Sequence, residues 1–399
     1  MSGHDVDSDT VMVIGSGPAG LATAAHLAAR GVAVTVLERG PVIGAAWAAR
    51  YDGLRFNTSR RYSALPGRPF PRSFGQFPSR DQYVEYLRTY AAAAGIRVET
   101  GCLVSSIDTD DGGGWVLETG DGARRARQVV VATGVFNVPA IPAWATSPPF
   151  EGPVLHSSAY RNAAELTERP VLVVGTGSTG LEIAYELAHA GAGAVLLSVR
   201  TPPNLLLREM GGLPGDLPVP LFLHLPAAPV DRLLLAMRRR VIGDLAPYGL
   251  PLPDEGPMTQ LRRRGVGTAI VDDEALEAIR QGAVRVVPAV RSLTPDGAQL
   301  ADGSHHRVSA VVLATGYRTG LDDLVGHLGV LDPDGMPLDR TGAEVAPGLR
   351  FVGYVYRPGL TGYVGRMARR VARGIARGTT SAPPRRTAPL DPEHDRPVA

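Results

Sequence analysis

Four apolar residues, Val11-Met12-Val13-Ile14, lead into a glycine-rich turn, an Ala-rich stretch over Ala19–Ala29 and a second apolar run over Val32–Leu37. Short continuous apolar runs predict buried parallel strands, and the Ala-rich stretch between them predicts the crossover helix. The pattern recurs as Val171–Val174, Gly180–Ala190 and Ala194–Val199. Far downstream of each unit comes a strand ending in one tripeptide: Val129-Val130-Val131 before Ala132-Thr133-Gly134, and Val311-Val312-Leu313 before Ala314-Thr315-Gly316. A short-strand pattern with a tight turn precedes each, at Trp115–Thr119 with Gly120-Asp121-Gly122 and at Ser292–Leu300 with Asp302-Gly303. The repeat predicts an α/β protein of two Rossmann-like domains, an ancient duplication with one domain inserted into the other. The expected limits are 9–165 and 290–378 for the outer domain and 166–289 for the inserted one. Residues 202–257 depart from the plan, with many prolines and then a helical segment near Val230–Gly243 carrying Arg238-Arg239-Arg240. They read as an insertion that either walls a substrate pocket or is a packing excursion. The tail over 379–399 reads as disordered.

The turns after the first strands are Gly15-Ser16-Gly17-Pro18-Ala19-Gly20 and Gly175-Thr176-Gly177-Ser178-Thr179-Gly180. In such a fingerprint the first glycine makes the turn, the second admits a pyrophosphate and the third lets helix and strand pack closely. The helix N-terminus then presents N–H groups and partial positive charge to the phosphates. Glu38, twenty-three residues after Gly15, ends the second strand where a carboxylate bonds ribose hydroxyls. The matching residue of the second unit is Ser198, with Arg200 two residues on. A lost carboxylate and a gained guanidinium suit a ribose carrying a 2′-phosphate, with Arg208 as a second cation. The expected cofactors are therefore FAD in the first unit and NADPH in the second, with electron transfer between them.

Composition narrows the classes. The 399 residues suffice for two or three domains, and 20% charged residues with a net charge of +2 argue against nucleic acid or an anionic membrane as the main partner. Lysine is absent, which removes lysine Schiff-base chemistry. The single cysteine, Cys102, allows no internal disulfide and no C-x-x-C pair and reads as a buried thiol. Met1–Thr10 lacks a signal-peptide core, and the apolar stretch from Leu217 to Val230 is broken by prolines, so a cytoplasmic protein without a membrane span is expected. His305-His306 sits at a hairpin tip, and no metal site is expected. No motif speaks to oligomeric state.

Between the two units lies Phe150-x-Gly152-x-x-x-His156-x-x-x-Tyr160. This segment, placed just before the second unit, resembles the fingerprint of flavin-containing monooxygenases. Tyr51-Asp52-Gly53-Leu54-Arg55-Phe56, Leu65-Pro66, Phe70-Pro71, Tyr248-Gly249-Leu250 and Ala314-Thr315-Gly316-Tyr317-Arg318 are similar to that family's YUCCA branch. The related Baeyer–Villiger enzymes usually end the fingerprint in Trp followed by Pro or Asp, where this chain has Tyr160-Arg161. The resemblance implies a monooxygenase in which NADPH reduces FAD, dioxygen forms a C4a-hydroperoxyflavin and a small organic substrate takes one oxygen atom. Substrates implied are an amine, a sulfide or a 2-oxo acid such as indole-3-pyruvate. It further implies a flavin-side segment at Gly44-Ala45-Ala46-Trp47, with Arg39 beside Glu38. Asn57 stands where many members carry a hydrogen-bonding Asn, which could equally stabilise the loop. Gly353, followed by Tyr354, and a helix starting near Gly362 match the last FAD-contacting segment. His156 is implied to be structural or NADP-positioning rather than a proton carrier, and Arg60 is the candidate cation for a 2-oxo acid. Two other readings stay open within catalysis, a Baeyer–Villiger enzyme and an FAD-dependent reductase feeding a protein partner. A third is a non-catalytic nucleotide sensor.

Overall fold

The computed structural model describes residues 10–146, 149–265 and 267–378. The apolar runs form two separate parallel sheets. Strands β1 (Val11–Ile14), β2 (Val34–Glu38) and β3 (Arg97–Thr100) are followed by a three-stranded antiparallel meander, β4 (Val104–Thr109), β5 (Trp115–Thr119) and β6 (Gly122–Ala126), and then by β7 (Val129–Val131). In the first sheet β1 lies between β2 and β7, with Val11 opposite Val34 and Met12 opposite Val129, and β3 flanks β2. Helix α1 (Pro18–Ala28) crosses from β1 to β2, and helix α2 (Arg80–Ala93) leads into β3. Every β1 residue is buried, which accounts for its unbroken apolar run.

The second sheet repeats the plan. After β8 (Val154–His156) come β9 (Pro170–Val174), helix α3 (Ser178–His189), β10 (Ala194–Val199) and β11 (Val284–Pro288). A second meander follows, β12 (Val290–Thr294), β13 (Gly297–Leu300) and β14 (His305–Arg307), and then β15 (Ala310–Leu313). The order is β11-β10-β9-β15-β8, all parallel. The chain therefore returns to the first unit later than the expected residue 290, and β8 leaves it earlier than residue 165. The reason is geometric: β15 must lie beside β9, as β7 lies beside β1, for its Ala-Thr-Gly turn to meet the fingerprint. The second meander packs on this sheet through Leu293, Ala298 and Leu300 against Leu172 and Leu196.

The hairpin β16 (Glu344–Ala346) and β17 (Leu349–Phe351) extends the first sheet beside β7. Helix α6 (Leu360–Gly378) then buries Val364, Met367, Ala368, Val371, Ala372 and Ile375 in the core shared with α1. That i, i+3, i+4, i+7 spacing is one helical stripe. In the insertion, helices α4 (Ala227–Val241) and α5 (Pro257–Arg264) pack around Phe222, Val230, Leu234 and Met258. No helix among the described residues is long and apolar enough to cross a membrane. The tail over 379–399 lies outside the described residues.

Candidate functional site

The two fingerprints fold into matching cradles. Gly15 and Gly175 take φ values of +103° and +113°, the left-handed side that favours glycine. A Cβ on Gly15 would lie 2.7 Å from the Ala132 carbonyl oxygen, and one on Gly175 would lie 2.5 Å from that of Ala314. This contact explains why the residue packed against each Ala-Thr-Gly turn is glycine. A Cβ on Gly20 or Gly180 would come within 1.9 Å of the Gly15 or Gly175 carbonyl oxygen. Gly17 and Gly177 instead face open space, with nothing within 4 Å of a built Cβ. Backbone N–H groups at the starts of α1 and α3 thus border vacant volume beside the second glycine, the arrangement a pyrophosphate requires.

In the first unit Glu38 is buried and organises the loop. Its Oε2 accepts from the Ser16 N–H at 2.9 Å and the Ser16 hydroxyl at 2.5 Å, and its Oε1 accepts from the Gly40 N–H at 2.8 Å. The Ser16 hydroxyl oxygen in turn accepts from the Gly44 N–H at 2.9 Å. Gly44, at φ +72°, starts the turn that places Trp47 edge-on to Tyr83, 4.6 Å between ring centroids. Tyr354 is fully buried, its hydroxyl 2.7 Å from that of Thr133 while it accepts from the Thr133 N–H at 3.2 Å. Gly353, at φ +95°, lies against Ala19. Gly362 does not reach the cavity: a Cβ there would lie 2.2 Å from the Tyr62 carbonyl oxygen, so close helix–loop packing requires that glycine.

The second unit departs from expectation at its cations. Ser198 is buried and donates its hydroxyl to the Pro288 carbonyl at 2.9 Å, so it offers no hydroxyl to a phosphate. Arg200 is exposed just beyond the strand. Arg208 is buried and paired with Glu182, and its Nε lies 3.3 Å from Asp272, so its charge is already shared by two carboxylates. Arg60 donates to the Arg72 carbonyl at 3.1 Å and does not line the cavity, so it is not placed to hold a substrate carboxylate.

Arg208 belongs to a cluster that no local pattern announced. Its Nη2 reaches Asn57 Oδ1 at 3.4 Å, while Glu182 also accepts from the Tyr51 hydroxyl. Tyr51 and Asn57 come from the first unit, Glu182 and Arg208 from the second. Burial pushes the Glu182 carboxyl up to about 7, against the opposing pull of Arg208. Burial, then the neighbouring Glu182 carboxyl, raises the Tyr51 hydroxyl well above the usual phenol range. Asp216 fastens the same loop from the insertion, accepting from the Ser59 N–H at 2.6 Å.

The fingerprint residues are structural in their contacts. A Cβ on Gly152 would meet the Ser309 carbonyl oxygen at 2.4 Å, and Phe150 and Tyr160 are buried. His156 Nδ1 accepts from the Ser158 N–H at 3.1 Å, which leaves Nε2–H to donate to the Gly316 carbonyl at 3.0 Å. Burial lowers its pKa, and the neutral ring pins the second Ala-Thr-Gly turn. Thr315 adds a bond from its hydroxyl to the Ala140 carbonyl at 2.6 Å.

One cavity of about 1210 Å³ connects the two cradles. It is larger than the roughly 300–1,000 Å³ of a pocket for one small ligand. Gly15, Gly17, Pro18, Ala19, Glu38, Arg39, Trp47, Asn57, Gly353 and the Ala132-Thr133-Gly134 turn line it from the first unit. Gly177, Ser178, Thr179, Arg208 and the Ala314-Thr315-Gly316 turn line it from the second. Ser198 and Arg200 lie outside it. Among the described residues no group of His, Cys, Asp and Glu could hold a metal ion.

A family model for pyridine nucleotide-disulphide oxidoreductases matches residues 12–204. The chain is 36% identical over 324 residues to the indole-3-pyruvate monooxygenase YUCCA1 of Oryza sativa subsp. japonica, covering 80% of this chain and 79% of that protein. It is 33% identical over 376 residues to YUCCA6 of Arabidopsis thaliana, also an indole-3-pyruvate monooxygenase, covering 91% and 89%. Among solved structures, a variant of the flavin monooxygenase from Stenotrophomonas maltophilia superposes with a TM-score of 0.72 at 25% identity, covering 94% of this chain and 100% of that one. OTEMO in complex with FAD and NADP has a TM-score of 0.72 at 19% identity, covering 94% and 85%, and shares the fold. With its two cradles, its fingerprint and these relatives, the chain belongs to the flavin-containing monooxygenase family, on the YUCCA side.

Proposed function

We propose that this protein is an FAD- and NADPH-dependent monooxygenase that converts a 2-oxo acid to the acid one carbon shorter. The observation that carries the reading is the shared cavity: dinucleotides seated at Gly17 and at Gly177 would bring their redox ends into one common space. The flavin supplies the redox and dioxygen chemistry when bound, with NADPH as reductant. The chain's residues bind, orient and exclude water. Glu38 would hold the first ribose, and Arg200, exposed beyond the end of β10, would pair with the 2′-phosphate of the second nucleotide. Asn57 accepts from Arg208 through its carbonyl oxygen and lines the cavity, and its amide N–H₂ is the group that would donate to the reacting oxygen. Trp47 and Phe56, 5.2 Å apart, give the first-unit side an apolar wall that keeps water from it. The relatives' printed activity supports the 2-oxo acid as substrate.

The balance is RCOCOOH + O₂ + NADPH + H⁺ → RCOOH + CO₂ + H₂O + NADP⁺. The test is NADPH and oxygen consumption by the FAD-loaded protein with indole-3-pyruvate, phenylpyruvate, trimethylamine, a thioether and a cyclic ketone. The expected result is one carbon dioxide per oxygen with the 2-oxo acids. Lactone from the ketone would move the protein to the Baeyer–Villiger side. Electron transfer only to ferredoxin or dyes would replace the monooxygenase by a reductase.

A further inference from the structure

Helix α4 buries a guanidinium that no carboxylate touches, with Asp244, among the described residues, the one acid that acts on it from farther away. Val230, Leu234 and Arg238 recur every four residues on its buried face, whereas Arg239 and Arg240 are exposed. Arg238 is 4% exposed, yet no acidic side chain among the described residues lies within ion-pair distance of it. Its Nη1 has one long contact, 3.4 Å to the Pro203 carbonyl oxygen, and its Nε has no hydrogen-bond partner. The other buried charge of the helix is already engaged. Asp231 accepts from the N–H groups of Met258 at 2.7 Å and Thr259 at 3.1 Å, capping the start of α5, two helical turns from Arg238. Burial lowers the pKa of the Arg238 guanidinium, but an arginine this far above neutrality keeps its charge. A buried, charged, half-bonded guanidinium costs stability.

Arg238 lines the cavity together with the apolar Leu206, Phe222, Leu234, Met237 and Met258, four of which belong to one packed cluster of the insertion. A buried cation beside an apolar cluster in the cavity wall matches a molecule with a hydrophobic body and one carboxylate. We propose that Arg238 is the specificity-determining residue that anchors the substrate's carboxylate, through a charge-assisted, bidentate contact, with the apolar wall taking an aromatic or aliphatic body. The inference rests on the 2-oxo acid reading above and adds the residue that would select the acid.

The test compares indole-3-propionate with its neutral amide by calorimetry on the FAD-loaded protein, in wild type, Arg238→Met and Arg238→Lys. In wild type the carboxylate binds about ten- to a hundredfold more tightly than the amide, the worth of a charged hydrogen bond. Arg238→Met abolishes that preference and Arg238→Lys restores part of it, while KM for NADPH stays unchanged. Arg238→Met melts at or above the wild-type temperature, because it removes a buried charge that has no direct ion-pair partner, so a folding failure does not mask the result. A carboxylate preference that survives in Arg238→Met overturns the proposal, as does a tenfold rise in KM for NADPH with the preference intact. A wild type that prefers the carboxylate yet oxygenates nothing in the substrate panel would sink the monooxygenase reading alone. A wild type that oxygenates 2-oxo acids with equal KM in Arg238→Met would sink the anchor alone.

Discussion

The two nucleotide units agree where backbone does the work and differ where a side chain does. Gly20 approaches Gly15, and Gly180 approaches Gly175, to the same 1.9 Å for a built Cβ. In both, the Ala-Thr-Gly turn presses on the first glycine and a buried ring secures that turn: Tyr354 at Thr133 in the first unit, His156 at Gly316 in the second. The glycine geometry of the cradle is therefore duplicated intact. At the end of the second strand the units part. Glu38 collects three hydrogen bonds and shapes the loop to Gly44, whereas Ser198 turns inward to Pro288, with Arg200 exposed beyond the strand. One position separates a buried carboxylate from a strand end that lacks one. The second unit also holds a long insertion after β10, which is where Arg238 enters the cavity.

The most damaging way to break the parallel is to fill the second glycine of each cradle. A Cβ at Gly17 or Gly177 meets no protein atom, so the fold should tolerate a valine and only the dinucleotide should be excluded. Gly17→Val is expected to yield a colourless protein with a wild-type melting curve before flavin is added. Gly177→Val should stay yellow and lose NADPH-driven flavin reduction by at least a hundredfold. Flavin absorbance and stopped-flow reduction read both, and a Gly17→Val protein that keeps FAD at full occupancy would refute the first-unit assignment.

Glu38→Ala comes next. It removes an acceptor of three hydrogen bonds from a buried position, leaving the Ser16 and Gly40 donors unpaired. At about 1–3 kcal/mol for each unsatisfied buried group, the apoprotein should lose several degrees in Tm. FAD should weaken in parallel. The counterpart Ser198→Ala should cost only about 1 kcal/mol and leave the preference for NADPH intact. A large change in cofactor preference in Ser198→Ala would contradict the inward hydroxyl.

Much of this organisation was legible in the chain. The paired strand–helix–strand runs and the two Ala-Thr-Gly strands located both cradles, because buried parallel strands must be continuously apolar. The limits of the second unit were not, because a run such as Ala310–Leu313 shows that it is a strand but not which sheet it joins. Spacing set Ser198 at a strand end and said nothing of its rotamer. It marked Arg208 as a cation near the site without showing that Glu182 and Asp272 already hold it. The signal for Arg238 was present: phase along α4 puts it on the stripe with Val230 and Leu234, where an arginine is out of place.

The Arg200 contribution is smaller than the loss of a cradle and can be measured against it. A charge-assisted hydrogen bond contributes roughly 1.5–3 kcal/mol, or about ten- to a hundredfold in affinity. Arg200→Ala should weaken NADPH by that factor and leave NADH nearly unchanged. Equal losses for both nucleotides would mean that the side chain supports the fold instead. Arg208→Ala should behave oppositely, lowering stability through an unpaired Glu182 and affecting both nucleotides alike.

The finest effect concerns the seam between the units. Glu182 joins Tyr51 of the first unit to Arg208 of the second, and burial raises its carboxyl to about 7 from a usual value of 4.5. A carboxyl raised on folding holds its proton more tightly in the native state than in the unfolded chain. The native state therefore binds more protons between pH 4.5 and 7, and stability from this group falls as pH rises through that window. Glu182→Gln keeps the shape and removes the titration. Its melting temperature should change less than that of wild type between pH 5 and 7.5, so the gap between them should move in favour of the variant as pH rises. Because the same carboxyl orients Arg208 against Asn57, the pH dependence of substrate oxygenation should shift in the variant while NADPH affinity does not. Parallel melting curves for the two proteins across this range would show that Arg208 keeps Glu182 ionised throughout, and the seam would then be a permanent ion pair rather than a titrating one.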